Sequence, residues 1–211
     1  MSDYWDKHYD GFIEQSPSNF SQWVSHKYLH PDDNLIEIGC GNGRDALLLA
    51  GKVKQYTGID ISEIALNSAN SNMINKGFDN FKLIKGSFAN LDEKLLDIYN
   101  RNILYSRFSL HSDTSEVEDK FLSKLHKFSN VNLLGLIEVR TIYDELYGVG
   151  NQVNEHAFVT DHYRRFIDPN EIYEKISSKF IVNYFELSRN FAPYKNENPT
   201  VLRIVFSNMK P

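Results

Sequence analysis

The chain has 211 residues and a mass of 24.5 kDa, with 41% hydrophobic and 24% charged residues. That globular composition excludes wholesale disorder and fibres, and it fits one domain of about 100–200 residues with room for an insertion. A formal charge of -5 argues against a sequence-independent grip on nucleic acid, so no nucleic-acid partner is expected.

Other classes fall away on pattern. The apolar run 132–139 is far short of the roughly 20 residues a membrane helix needs, and MSDYWDKHYD lacks the basic-then-apolar order of a secretory leader. A cytoplasmic location with no membrane association is expected. The single cysteine, Cys40, cannot form an internal disulfide, which fits a reducing compartment.

No repeat of 20–50 residues appears, and the chain reads as alternating elements. Residues 18–29 place Phe20, Trp23, Val24 and Tyr28 at helical spacing, and Pro31-Asp32-Asp33 ends that helix. The short apolar run 34–38 predicts a strand, the cluster Gly39-Cys40-Gly41-Asn42-Gly43 a tight loop, and ALLLA around Leu48 a helix. Residues 55–59 predict a second strand ending at Asp60, and 62–75 a helix capped by Ser62. Further strands are expected over 81–85, 102–108 and 133–139, with a helix over 116–128 that puts Val117, Phe121, Leu122 and Leu125 on one face. Residues 140–166 are polar and aromatic without regular period. A helix over 168–178 and two apolar runs, 181–187 and 201–206, suggest an antiparallel pair at the sheet edge. The expected architecture is α/β, a Rossmann-like doubly wound sheet of seven strands, mainly parallel, with an antiparallel edge strand.

Gly39, Gly41 and Gly43 follow a strand and open a helix, where backbone amides can face a nucleotide-like ligand. Asp60 ends the next strand, 21 residues after Gly39, where a carboxylate can accept both hydroxyls of a ribose. The dinucleotide fingerprint wants a third glycine where Arg44 stands, and Arg44 would crowd a pyrophosphate. With Glu37 two residues before the loop, Glu37-Ile38-Gly39-Cys40-Gly41-Asn42-Gly43 resembles motif I of the class I S-adenosylmethionine-dependent methyltransferases. The resemblance covers residues 34–139. It implies S-adenosylmethionine as cofactor and S-adenosylhomocysteine as product. Gly39, Gly41 and Gly43 match the loop beneath the methionine moiety, Asp60 the ribose-binding acid, and Ile61 an adenine contact. Ser87 and Phe88 stand where the family usually has an acid for the adenine amine, a departure that leaves adenine recognition open. Tyr4, Trp5 and Tyr9 lie in a segment that looks like the aromatic stretch closing over the cofactor in small relatives; aromatic packing of a chain end is the other reading. The implied organisation is one domain over 1–211. It comprises an N-terminal helical cap (1–33), a cofactor-binding core (34–139), a substrate-binding insertion (140–167) and a C-terminal helix with edge strands (168–211).

Ligands of open α/β sheets lie at the carboxyl ends of strands, so Tyr105, Ser106, Arg107, Phe108, His111, Glu138 and Arg140 should face the transferable methyl. The catalytic candidates are His111, Tyr105 and Arg107. His111 is the best general base by residue type; capping the next helix or binding a substrate oxygen are its other readings. Arg107 could hold a carboxylate or phosphate, or pair with Glu138 or Asp113. Residues 104–111 lack the Asn/Asp-Pro-Pro-aromatic motif of amino- and nucleobase-methylating relatives, which disfavours N-methylation. Arg140, Tyr147, His156, His162, Tyr163, Arg164 and Arg165 concentrate cations and aromatic faces suited to an anionic or sugar-like acceptor, with surface salt bridging as the bland reading. The Tyr-Ser-Arg-Phe and His-Tyr-Arg-Arg runs resemble small methyltransferases of bacterial surface-polysaccharide gene sets.

No metal is expected: His26 and His30 are spaced as ligands, but no third ligand is apparent. Cys40 has no evident histidine partner to make it a nucleophile. The expected function is methyl transfer to oxygen of a small-molecule acceptor. A nicotinamide-dependent oxidoreductase, a nucleoside-binding scaffold, and a protein or tRNA methyltransferase are the rivals, and the oligomeric state is left open.

Overall fold

The apolar runs of the sequence form the strands of one sheet, described in a computed structural model over residues 2–10, 16–128, 130–194 and 197–208. Its strands are β1 (Asn34–Ile38), β2 (Gln55–Asp60), β3 (Phe81–Lys85), β4 (Asn102–Arg107) and β5 (Leu133–Arg140), with β9 (Ile181–Ser188) and β10 (Val201–Ser207) from the C-terminal part. The order is β3-β2-β1-β4-β5-β10-β9. β1 to β5 are parallel to one another, whereas β10 runs antiparallel between β5 and β9.

Every residue of β1 is buried because helices cover both faces, which is why its NLIEI sequence shows no polar alternation. On one face Leu35, Ile103, Leu136 and Val205 pack with α2 (Asn19–Lys27), α3 (Ala46–Ala50) and α4 (Glu63–Asn75) through Phe20, Val24, Leu49 and Met73. On the other, Ile36, Leu104, Ile137 and Ile204 meet Phe121 and Leu125 of α5 (Ser115–Lys127) and Ile172 and Ile176 of α6 (Pro169–Ser177). Helix starts are set by side-chain caps: Ser18 accepts from the Ser21 amide, Ser62 from Ala65, and Asp168 from Asn170. β1 neighbours both β2 and β4, so successive strands are laid down in opposite directions on its two sides. This switch point opens a crevice at the strands' carboxyl ends.

Two features depart from the sequence reading. An N-terminal helix, α1 (Ser2–Tyr9), precedes α2. Within the irregular stretch, β6 (Asn151–Asn154), β7 (Ala157–Val159) and β8 (Tyr163–Arg165) form a separate antiparallel sheet. All four β6 residues are exposed, so no alternation of apolar and polar side chains marks the strand. Among the described residues no helix is long and apolar enough to cross a membrane.

A buried ion cluster lies across β4, β5 and β10. Glu138 is fully buried, and the register puts Arg107 and Arg203 opposite it on the two flanking strands. Arg107 Nε donates to its Oε1 at 3.0 Å and Arg203 Nε to its Oε2 at 2.8 Å. Removing the carboxylate leaves two arginines short of their counter-ion, so Glu138→Ala should lower unfolding free energy by about 3–5 kcal/mol. Chemical denaturation against the wild-type protein checks this; a loss below about 1 kcal/mol would show that water replaces the carboxylate.

Candidate functional site

The crevice at the switch point is a cleft of about 780 Å³. Its floor is the glycine loop. Gly39, Gly41 and Gly43 all have positive φ, and a Cβ on Gly41 would stand 2.4 Å from the Tyr9 hydroxyl. Only glycine permits that close approach. Asp60 fixes the loop from the end of β2: its Oδ2 accepts the Gly41 amide at 2.8 Å and its Oδ1 the Ser62 amide at 2.9 Å. Burial pushes the Asp60 carboxyl above its ordinary value, against the pull of those amides. Glu37 is buried beneath the loop and accepts from the Tyr56 hydroxyl at 2.7 Å. Burial, then neighbouring Asp45, pushes it well above the carboxylate range. Ile61, Ser87 and Phe88 line the same end, with the Phe88 ring held edge-on to Phe121 in the core.

α1 lies over this floor. Tyr9 covers Gly41, and Asp6 accepts from the Ser62 hydroxyl at 2.6 Å. At the helix start Tyr4 stacks on His162 with centroids 4.7 Å apart, and its hydroxyl donates to Asp161 at 3.0 Å; Trp5 lies 5.7 Å from the same imidazole. The aromatic helix thus spans from the glycine loop to the β7–β8 turn.

The opposite end of the cleft is cationic. Phe108 is the one described non-glycine residue at positive φ, 58°, a costly conformation for a bulky side chain. Its ring lies in the cleft, 4.1 Å from the Arg107 guanidinium and 5.7 Å from that of Arg140. His111, Arg140, His162 and Arg164 line the same wall. Arg140 is bound by Asp144 at 3.2 Å and Glu197 at 2.7 Å.

Several of the residues expected at the site do not line the cleft. Tyr105 is fully buried behind it, its hydroxyl donating to Asp45 at 2.7 Å and its ring stacked on Phe20. Arg165 is drawn the other way, to buried Glu118 at 2.7 Å and to the Asp113 and Leu110 carbonyls, and Lys175 completes that ion cluster. Tyr147 and His156 bond each other at 2.9 Å, with the Tyr147 ring edge-on to Phe158 and Phe166, and His156 also nears Asp168 and Glu171. Tyr163, whose buried hydroxyl finds no partner among the described residues, lies outside the cleft too. Ser106 and Glu138, also expected to face the methyl, are fully buried. Gly43 lies beneath the loop against Ala69 of α4.

Two acids that organise the cleft, Asp45 in its wall and Asp161 behind His162, were given no role by the sequence. Asp45 receives the Ser18 amide and hydroxyl, both at 2.7 Å, and the Ser21 hydroxyl at 3.0 Å. Burial acts to raise its pKa, but Arg44, Arg107 and these donors outweigh it and hold the carboxyl below its usual value. Asp161 joins His162 to α1. Asp45 sits two residues past the glycine loop, a signal available in the sequence; Asp161 opens the His162–Arg165 run that the sequence marks as cationic and aromatic.

Residues 29–137, just over half the chain, match the family model described as a methyltransferase domain. A tRNA/tmRNA (uracil-C(5))-methyltransferase of Stutzerimonas stutzeri is 33% identical over 76 residues, 36% of this chain and 21% of that protein. The chain thus spans about a fifth of the length of the curated relatives it matches. A SAM-dependent methyltransferase from Methanosarcina mazei has a TM-score of 0.69 at 16% identity, covering 92% of this chain and 98% of its own. An S-adenosylmethionine-dependent methyltransferase from Clostridium acetobutylicum gives 0.66 at 15%, covering 95% of each. These likenesses establish the shared fold.

The Arg165 placement has a measurable consequence. Arg165→Met should lower stability by about 1–3 kcal/mol through the loss of charged hydrogen bonds and leave S-adenosylhomocysteine affinity at the cleft unchanged. Denaturation and calorimetry on one preparation check both; weakened binding without lost stability would return Arg165 to the site.

Proposed function

The chain belongs to the methyltransferase-domain family, and from that premise we propose that it is an S-adenosylmethionine-dependent enzyme that methylates an oxygen of a small polar acceptor, anionic or sugar-linked. The observation that carries this reading is the division of one cleft into an acidic end under α1 and a cationic, aromatic end around Phe108. A residue set of this kind fits the cofactor. Asp60 would take the ribose hydroxyls, Glu37 the methionine ammonium, and the open backbone at Gly39 and Gly41 would pass beneath the methionine chain. Ile61, Ser87 and Phe88 would bound the adenine, with Tyr4, Trp5 and Tyr9 of α1 closing over it. S-adenosylmethionine supplies an electrophilic methyl on a sulfonium centre. The chain's own contribution is alignment: transfer needs an in-line approach at roughly 3–3.5 Å, and water must be kept from the reacting atoms. Arg107, Arg140, His162 and Arg164 would orient the acceptor against the Phe108 ring.

A sugar phosphate of a surface-glycan building block, or a phosphate or phosphoramidate group, fits this wall by charge. Transfer of a labelled methyl to a panel of sugar phosphates, sugar nucleotides, small carboxylates and bulk tRNA tests the reading. Label should enter one of the small acceptors; label in the tRNA alone would favour the activity that the curated relatives' names carry.

Two further outcomes follow from the cofactor end. Asp60→Ala should weaken cofactor binding by about 1.5–3 kcal/mol, the value of hydrogen bonds to a charged group, as read by calorimetry. Glu37, raised by burial, must ionise to receive an ammonium, so binding releases a proton and affinity should fall as pH drops. That slope should flatten in Glu37→Gln. A pH-independent wild-type affinity would remove Glu37 from the ammonium site.

A further inference from the structure

His111 has its role set by what its ring already bonds. The Arg140 amide donates to Nδ1 at 3.4 Å. Nδ1 is therefore an acceptor, and the neutral ring carries its proton on Nε2. The other tautomer would point two N–H groups at each other. Imidazolium is opposed by the same contact, by burial, and by Arg140 on β5 with His162, Arg164 and Arg165 at β8, which together push the pKa well down. Arg165 also ties down this turn through the Leu110 carbonyl. The ring thus offers a donor at Nε2 where a general base would need a lone pair.

Arg164 is the other unusual group on this wall. Arg107 is paired with Glu138, Arg140 with Asp144 and Glu197, and Arg165 with Glu118. Among the described residues Arg164 has no carboxylate within ion-pair distance; its NH2 lies 3.0 Å from His162 Nε2, whose Nδ1 is taken by Asp161. Neither ring nitrogen of His162 is left to take a proton. Asp113, also in the cleft, accepts the Thr114 amide, and Glu197 is bound to Arg140. A half-buried cation with no carboxylate within ion-pair distance, lining the same cleft as a fixed N–H donor and an aromatic ring, is a receptor for negative charge.

We propose that His111 Nε2–H and the Arg164 guanidinium hold an oxyanion of the acceptor, a phosphate monoester or a carboxylate, and that this already charged oxygen is methylated without a general base. This rests on the methyltransferase reading above and narrows its acceptor. The acceptor oxygen forms the new C–O bond with its own electron pair as the methyl–sulfur bond breaks. That bond's electron pair stays on sulfur, one negative and one positive charge cancel, and no proton moves.

The test uses the protein loaded with S-adenosylhomocysteine and three probes: phenyl phosphate, benzoate and methyl glucoside. Long-range proton–nitrogen NMR of the histidine rings reads the tautomer, and calorimetry reads the probes. The His111 ring should carry its proton on Nε2 at neutral pH, and at least one anion should bind and shift that signal. Phenyl phosphate binding alone identifies phosphate, and benzoate binding alone identifies carboxylate. Arg164→Gln should weaken the anion about tenfold or more, the cost of one charged hydrogen bond. His111→Gln, which keeps an N–H donor, should retain binding that His111→Ala loses. An Nδ1–H or charged ring, binding of neither anion, or undiminished binding to Arg164→Gln would overturn the proposal while the methyltransferase reading stands. Failure of S-adenosylhomocysteine itself to bind would overturn that reading and this inference with it.

Discussion

The two backbone amides held by Asp60 are the joint on which the site depends. One belongs to Gly41, in a loop whose positive φ angles carry the chain away from β1; the other belongs to Ser62, which caps α4. One carboxylate therefore fixes the glycine loop, the end of β2 and the start of α4 relative to each other. Backbone in this loop can approach a ligand closely only because no side chain stands in the way, and Asp60 keeps it in that conformation. α1 then closes on the same joint, through Asp6 on Ser62 and Tyr9 on Gly41.

From that joint the cleft divides by charge. Glu37, Asp45 and Asp60 surround the proposed cofactor end, where burial raises Glu37 and Asp60. At the proposed acceptor end the arginines are held in place by buried acids: Glu138 grips Arg107 and Asp144 grips Arg140, while Glu118 draws Arg165 away from the cleft. These ion pairs contribute orientation more than net attraction, because burying both charges costs much of what their pairing gains. A cationic sulfonium cofactor suits the first end and an anionic acceptor the second.

The strands and the glycine loop were legible in the sequence because each leaves a local mark. Fully buried strands read as unbroken apolar runs, and the glycine cluster followed by Asp60 places two features at a spacing set by one strand–helix–strand unit. The small sheet was not legible, since β6 is exposed throughout and carries no alternation. Residue roles fared worst where distant partners decide them. Tyr105 and Arg165 have side chains suited to an active site, yet each is claimed by an acid far along the chain, Asp45 and Glu118. His111 has the side chain of a base, but an amide 29 residues away fixes its tautomer. Composition and spacing cannot show contacts of that kind.

Calorimetric titration of the purified protein with S-adenosylmethionine, S-adenosylhomocysteine and NAD tests the central claim most directly. The Asp60 joint and the crowding by Arg44 predict micromolar binding of the first two, about -8 kcal/mol, and none of NAD. Binding of NAD, or of none of the three by a folded protein, would contradict it.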